Sequence, residues 1–210
     1  MDEAYKHPAE EKKVKFRVNI LGSKKENIAW IFIITVLSFF LSIILSFSST
    51  RILVAASDIA ALLIVLIIIV IGIIFDMIGI AVTAADEAPF HAMASRKLYG
   101  ARQAIRLIRH ANKVSSFCND VVGDIAGVIS GTASAFIIVR MVGTGIIPEA
   151  TIEGLVITGL VASLTVGGKA VGKTIAIHNS NFIVYKVSVI LKFVKERFKF
   201  LRHNGHKKKN

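Results

Sequence analysis

The sequence has few residues of two kinds, cysteine and the acids. Its 210 residues include a single cysteine, Cys118, so the chain cannot form an intramolecular disulfide, and we interpret Cys118 as a small buried apolar residue. Only 14 Asp and Glu stand against 26 Lys and Arg, which gives a net charge of +12. These absences exclude a disulfide framework and leave a strongly basic chain.

Charge is absent altogether from two long runs, residues 28–47 and 59–75. The chain is 54% hydrophobic and its mean hydropathy is +0.65, although it carries +12 charges. A soluble domain this apolar would expose much apolar surface, whereas membrane proteins separate apolar runs from basic runs. We therefore expect a small integral membrane protein.

Four apolar segments are candidates to cross a bilayer, which takes about 20 residues of helix for a core of ~30 Å. The first two are residues 28–47 and 59–75, and the second extends through residue 82 if Asp76 is tolerated. Residues 125–139 and 154–168 are shorter and need flanking residues to cross. The sequence predicts an all-α, polytopic helical membrane protein with four transmembrane helices.

The basic residues predict the orientation of these helices. Seven Lys and Arg precede the first segment, six lie between the second and third, and eleven follow from Lys169 onward. The other two loops hold only Arg51 and Arg140. With both termini cytoplasmic, 24 of the 26 basic residues face the cytoplasm, so we predict a multi-pass protein of the cell membrane.

Two basic segments have the apolar periodicity of surface helices. Residues 93–114 and 182–202 each place apolar side chains on one face and Lys or Arg around the other, and residues 203–210 read as a disordered basic tip. In the first segment the apolar positions are Leu98, Ala101, Ile105 and Ile108. We expect these cytoplasmic helices to bind anionic lipid, at about 1 kcal/mol per charge near the surface. No nucleic-acid partner is predicted.

Residues 167–174, GGKAVGKT, match the P-loop pattern of nucleotide-binding proteins. That loop works only where it leaves a buried strand and enters a helix, and here a candidate membrane segment precedes it. We therefore expect no nucleotide and no enzymatic activity. The stretch instead predicts a helix-breaking exit from the membrane with snorkelling lysines, which could also hold a lipid phosphate.

Acidic side chains form two stripes at helical spacing. Asp76, Thr83 and Asp86 share one face of the second predicted span. Asp120 and Asp124 begin a second stripe at the start of the third span. A repeat of small residues every four positions continues that span and lets another helix approach closely: Gly123, Gly127, Gly131 and Ala135. Two such stripes on packed helices would make an oxygen-lined pocket, suited to magnesium or another divalent cation.

The acids also have a structural interpretation. Asp86 and Glu87 would lie beyond the bilayer and cap a helix that begins near Pro89, and Asp120 would cap the third span. Asp76 and Asp124 would then pair with Lys or Arg. Both interpretations stay open at this point.

The stretch from residue 75 to about residue 193 resembles the transmembrane domain of the CNNM family, which includes bacterial CorB and CorC magnesium and cobalt transporters. Residues 83–86, TAAD, stand where that family has a serine, any residue, serine, glutamate motif. RKLYGARQAIRLI matches its basic helix, and Gly123 with Asp124 matches a glycine and asparagine pair. Residues 168–173, GKAVGK, correspond to its motif after the last span, with Lys169 in place of a cation-associated glutamate.

The resemblance implies a domain organisation and a homodimer. Residues 1–27 would be a cytoplasmic basic tail, residues 28–48 an extra transmembrane helix and residues 58–202 a CNNM-like membrane domain with a juxtamembrane helix. Transport of a divalent metal cation, magnesium or cobalt, would use Thr83, Asp86 and Asp124, with Asp76 in support. The alternative is a non-transporting membrane protein with internal Asp–Lys pairs, Lys169 with Asp86 or Asp124, acting as a lipid- or partner-binding scaffold.

Overall fold

The protein is helical throughout the part described by the computed structural model, residues 24–143 and 152–206, of which the side chains of residues 24–27, 153 and 198–206 are not described. Short turns join the helices, and these residues include no β-strand. The all-α prediction is confirmed. The helices are α1 (Lys24–Ala55), α2 (Asp58–Ala84), α3 (Ala88–Ser95), α4 (Ala101–Arg109), α5 (Ala111–Ser116), a π-helix (Phe117–Gly123), α6 (Asp124–Gly143), α7 (Ile152–His178) and α8 (Ser180–His206).

Four helical stretches are long and apolar enough to cross a membrane, as the sequence predicts. They are Ile28–Ala55, Asp58–Ala84, Ala111–Gly143 and Gly154–His178. Each is longer than the uncharged run from which it was predicted, because the helices continue through their flanking polar residues. The third stretch is composite, since α5, the π-helix and α6 follow one another along the chain.

The chain divides into two compact units, one up to Phe39 and one from Phe40 onward. The first unit holds the beginning of α1, where large apolar side chains such as Ile31, Phe32 and Phe39 are exposed. A helix that is apolar on all sides requires an apolar environment, as in a membrane span.

In the second unit α2 is the central helix, because it contacts α5, the π-helix, α6, α7 and α8. Two buried apolar clusters lie along it. The first core, towards its N-terminal end, consists of Leu53, Ala61, Val65, Ile69, Ala133 and Ile137. The second core, towards its C-terminal end, consists of Ala81, Val82, Phe90, Ala104, Ala176 and Val184. The second core joins α2 to the basic helices α4 and α8.

Glycines set the distance of α2 from its neighbours. A Cβ at Gly72 would lie 2.8 Å from the Cβ of Ala126 on α6, and a Cβ at Gly172 of α7 would lie 2.8 Å from Cγ of Met77. By contrast, Gly127 and Gly131 have no neighbouring atom within 4 Å of a Cβ position in the described structure. The prediction that these two glycines admit another helix is therefore wrong within this part of the chain.

The single amphipathic helix predicted over residues 93–114 is also wrong. The segment divides into the end of α3, a turn, α4 and α5, because Lys97 and Gly100 adopt left-handed backbone angles, with φ of 56° and 87°. Leu98, assigned to the apolar face, lies in the turn and is 46% exposed. Ala101 and Ala104 supply the buried face of α4 instead.

Two predictions for the C-terminal half need correction. Residues 167–174 do not break a helix, because α7 runs without interruption from Ile152 to His178. The helix α8 includes the predicted surface helix 182–202 and continues to His206, into the segment predicted as a disordered tip. Residues 207–210 lie outside the described residues.

Replacement of Gly72 by alanine should destabilise the bundle. The added methyl group would meet the Cβ of Ala126, which cannot rotate away, so α2 and α6 must separate at a cost of about 1–3 kcal/mol. Gly131→Ala is the matched control, because nothing lies within 4 Å of its Cβ position. Thermal unfolding of the purified chain in detergent should give a lower midpoint for Gly72→Ala alone. Equal midpoints for the two variants would contradict this packing.

Candidate functional site

The structure brings two of the four predicted metal ligands, Asp76 and Asp124, to the same lysine. The Lys169 Nζ atom lies 3.3 Å from Oδ1 of Asp124 and donates a hydrogen bond to it. Asp76 Oδ1 and Lys169 Nζ each lie 3.7 Å from the position that a Cβ of Gly123 would occupy. Asp76, Asp124 and Lys169, from α2, α6 and α7, therefore form one central charged cluster beside a glycine.

Helix packing explains why these three groups meet. The α7 glycines on either side of Lys169 face α2: a Cβ at Gly168 would meet the side chain of Ile73, and one at Gly172 would meet Met77. Because α7 can approach α2 closely there, the ammonium group reaches the level of Asp76. Gly123 ends the π-helix directly before Asp124. Because Gly123 has no side chain, the space near Asp76 Oδ1 and Lys169 Nζ stays open.

The π-helix is a feature that sequence reasoning missed. Such segments are rare and often occur at functional sites, because the wider turn displaces side chains and frees backbone groups. Its Asn119 faces Gly79, where a Cβ would lie 2.8 Å from Cγ of Asn119. The amide group donates to Ser115 Oγ at 3.3 Å, while the buried Oδ1 has no hydrogen-bond donor in the described part of the chain.

The central charged cluster has two carboxylates and one ammonium group. Lys173 and Asp120 also interact with Asp76 electrostatically, as an additional cation and an additional anion. Lys169 supplies the opposite charge for Asp124. Among residues 24–143 and 152–206 no group of three or more His, Cys, Asp or Glu side chains is arranged to hold a metal ion.

Thr83 and Asp86 lie at the C-terminal end of α2, away from the central charged cluster. The Thr83 hydroxyl is exposed and donates to the backbone oxygen of Ile80 at 2.8 Å. Asp86 follows the end of α2, and its backbone N–H donates to Asn181 Oδ1 at 3.0 Å. Thr83 is about two helical turns from Asp76, roughly 10 Å along the axis. Magnesium ligands lie at ~2.1 Å, so one ion cannot contact both side chains, and the metal role of each residue stays a prediction.

Glu87, which the sequence suggested as a helix cap, has a different role. It occupies the N-cap position of α3 without a side-chain capping hydrogen bond. Its Oε1 atom instead accepts hydrogen bonds from Arg109 Nε at 2.7 Å and His91 Nε2 at 2.8 Å. These hydrogen bonds hold the pKa of Glu87 below its usual value, and the bond from Arg109 has the larger effect. Asp120 does not cap a helix either, because it lies inside the π-helix.

A second ion pair lies at the opposite end of α2. Arg140 Nε is 3.1 Å from Asp58 Oδ1, and its Nη1 donates to the backbone oxygen of Ala56 at 2.7 Å. Sequence reasoning treated Arg140 only as an isolated loop charge. The structure shows it joining the end of α6 to the start of α2.

No protein-family model matches the chain, and no curated protein and no solved structure matches it either. The resemblance to the CNNM membrane domain therefore has no support beyond the short motifs that suggested it. Homodimer formation, inferred from that resemblance, stays a prediction.

The Lys169–Asp124 pair should appear as an energetic coupling between the two residues. We expect Lys169→Met and Asp124→Asn to be less destabilising together than the sum of their separate effects. Because the Asp124 side chain is 69% exposed, the coupling should fall near the lower end of the usual range, about 0.5–1 kcal/mol. Unfolding of the four chains of this cycle in detergent measures it, with Lys173→Met and Asp124→Asn as the control cycle. Additive effects at Lys169 would contradict the pair.

Proposed function

We propose that this chain is a multi-pass protein of the cell membrane that does not conduct divalent cations and serves as a scaffold for anionic lipid or a partner. The observation that carries the proposal is the position of Lys169. Its ammonium group lies 3.3 Å from Asp124, and it lies 3.7 Å from the Cβ position of Gly123, as Oδ1 of Asp76 does. The cation of this cluster belongs to the chain itself.

Lys169 opposes a divalent ion at this place in two ways. Its positive charge repels a second cation placed within a few ångströms. Its hydrogen bond also uses one of the Asp124 oxygens that a hard cation would need. An ion could use both oxygens of Asp124 only after the ammonium group had left.

The distribution of charge at the two ends of the bundle supports the proposed orientation. The second core holds the C-terminal end of α2 together with α4 and α8, and the described residues Arg102, Arg106 and Lys195 of those helices have no carboxylate within 4.0 Å. Arg140, near the first core, is paired with Asp58. An excess of unpaired basic residues at one end is typical of the cytoplasmic side.

Divalent cation transport is the second candidate, and one observation favours it. Asp76 and Asp124 do converge, as that hypothesis requires, and the buried Oδ1 of Asn119 lacks a hydrogen-bond donor in the described part of the chain. In this case Lys169 would have to move away from Asp124 whenever an ion binds.

Thiol labelling tests the orientation. We expect a cysteine at Lys195, on α8, to react with a membrane-impermeant maleimide only after cells are opened, and one at Ser57, in the exposed turn before α2, to react in intact cells. Both cysteines are introduced into the Cys118→Ala variant, and the labelling of that variant alone is the negative control. Reaction of Lys195→Cys in intact cells would contradict a cytoplasmic C-terminal tail.

Magnesium-dependent stability separates the two candidates. Addition of about 10 mM Mg²⁺ at constant ionic strength should leave the unfolding midpoint of the wild-type chain unchanged, because a ligand stabilises only the state that binds it. Lys169→Glu should acquire a rise in midpoint, since the cluster would then have three carboxylates. Lys186→Glu, on α8, makes the same charge change away from the central charged cluster and should acquire none.

A rise for the wild-type chain that disappears in Asp124→Asn would favour transport. Magnesium flux into proteoliposomes, followed with a fluorescent reporter, is the decisive measurement for that outcome. Flux by the wild-type chain that is lost in Asp124→Asn would overturn the proposed scaffold.

A further inference from the structure

A basic cleft lies between the turn that joins α3 to α4 and the outer face of α8. It has a volume of about 530 Å³ and is lined by five cations and one acid: Lys97, Arg102, Arg106, Lys192, Lys195 and Glu196. Small-molecule sites have volumes of about 300–1,000 Å³, so the cleft is large enough for a ligand of that class. It lies away from the central charged cluster and shares no residue with it.

The one carboxylate of this basic cleft is already engaged. Glu196 Oε2 accepts a hydrogen bond from the Tyr99 hydroxyl at 2.7 Å, and its Oε1 lies 3.9 Å from Lys192 Nζ. The Lys192 ammonium also lies 3.8 Å from the centre of the Tyr99 ring. Glu196 and Lys192 of α8 therefore balance each other within a small network that includes Tyr99 of the turn.

The remaining four cations have no such balance. Among the described residues, none of the following lies within 4.0 Å of a carboxylate oxygen: Lys97, Arg102, Arg106 and Lys195. Arg102 and Arg106 are one helical turn apart on α4, a spacing at which like charges destabilise a helix. The fold thus keeps mutually repelling cations around one space, and an anion placed there would remove that repulsion.

The walls of the basic cleft are fixed by packing. A Cβ at Gly100 would lie 2.9 Å from Cγ2 of Val189 and 3.2 Å from its backbone nitrogen, so the turn is pressed against α8. Gly100 and Lys97 both have positive φ, which is uncommon for a lysine and is retained only where the surroundings enforce it. The cleft exists before any ligand binds.

We propose that this basic cleft is a binding site for a phosphate-bearing anion. Two guanidinium groups from one helix can each donate two parallel hydrogen bonds to phosphate oxygens, and the lysines add point charges from the turn and from α8. Basic pockets on the cytoplasmic side of membrane helices commonly take phospholipid head groups. The inference deepens the proposed scaffold function and rests on it only for the choice of a lipid as the source of the phosphate.

Calorimetric titration of the purified full chain in an uncharged detergent tests the site. The probes are short-chain phosphatidylglycerol, inorganic pyrophosphate and, as the neutral lipid, short-chain phosphatidylcholine. The double variant Arg102→Gln with Lys195→Gln should weaken binding of the anionic probe at least about tenfold, because two charged hydrogen-bond donors are lost. The control is Lys173→Gln with Lys186→Gln, which changes the net charge equally outside the basic cleft and should weaken binding less than about twofold.

Each outcome of the titration has a definite meaning. Binding of phosphatidylglycerol that pyrophosphate does not displace supports a head-group site, and binding of pyrophosphate alone supports a site for soluble phosphate. If the first double variant loses its helical circular dichroism, the single variants Lys97→Gln and Arg106→Gln take its place. Equal weakening by the cleft variants and their control, or no binding of either anion, overturns the proposal.

The site and the proposed function can fail separately. Magnesium flux by the wild-type chain would overturn the scaffold and leave the titration result intact, because the basic cleft and the central charged cluster have no residue in common. A chain that neither conducts magnesium nor binds an anionic probe would lose the cleft proposal alone.

Discussion

The close approach of other helices to α2 is the constraint on which the rest of the structure depends. A glycine on one of the two helices makes each approach possible. On α2, Gly72 faces Ala126 and Gly79 faces Asn119; on α7, Gly168 faces Ile73 and Gly172 faces Met77. This packing determines where the charges lie. Lys169 can reach Asp124 beside Asp76 only because its two neighbouring glycines let α7 lie against α2. A bulkier residue at those positions would separate the cation from both acids.

The sequence predicts the long helices well and their contacts poorly. Uncharged runs predict the four long apolar helices because such helices have a direct compositional signal. The pairing of Lys169 with Asp124 was one of the two Asp–Lys pairs that the sequence suggested. The π-helix and the break at residues 96–100 were not predicted from the sequence. Gly100 turns the chain onto Val189, a residue distant in the sequence. Gly127 and Gly131, which were predicted to pack against another helix, have open space at their Cβ positions in the described structure.

The GGKAVGKT stretch matches the phosphate-binding loop in sequence but has a different structure. In a phosphate-binding loop the glycines free the backbone from helical geometry, and here they are part of the continuous helix α7. Gly168 and Gly172 remove side chains on the face towards α2. Lys169, between them, binds a carboxylate of the chain and not a phosphate. A pattern that is specific in an α/β sheet has no such specificity in a helical bundle.

The contrast between the two groups of cations indicates which of them is free to bind a ligand. Lys169 and Arg140 are each paired with a carboxylate of the chain, Asp124 and Asp58. Where α4 and α8 meet, four cations of the basic cleft have no carboxylate within 4.0 Å among the described residues. Arg102 and Lys195 can therefore exchange solvent for a phosphate at little cost. Lys169 cannot do so without leaving two acids exposed to each other.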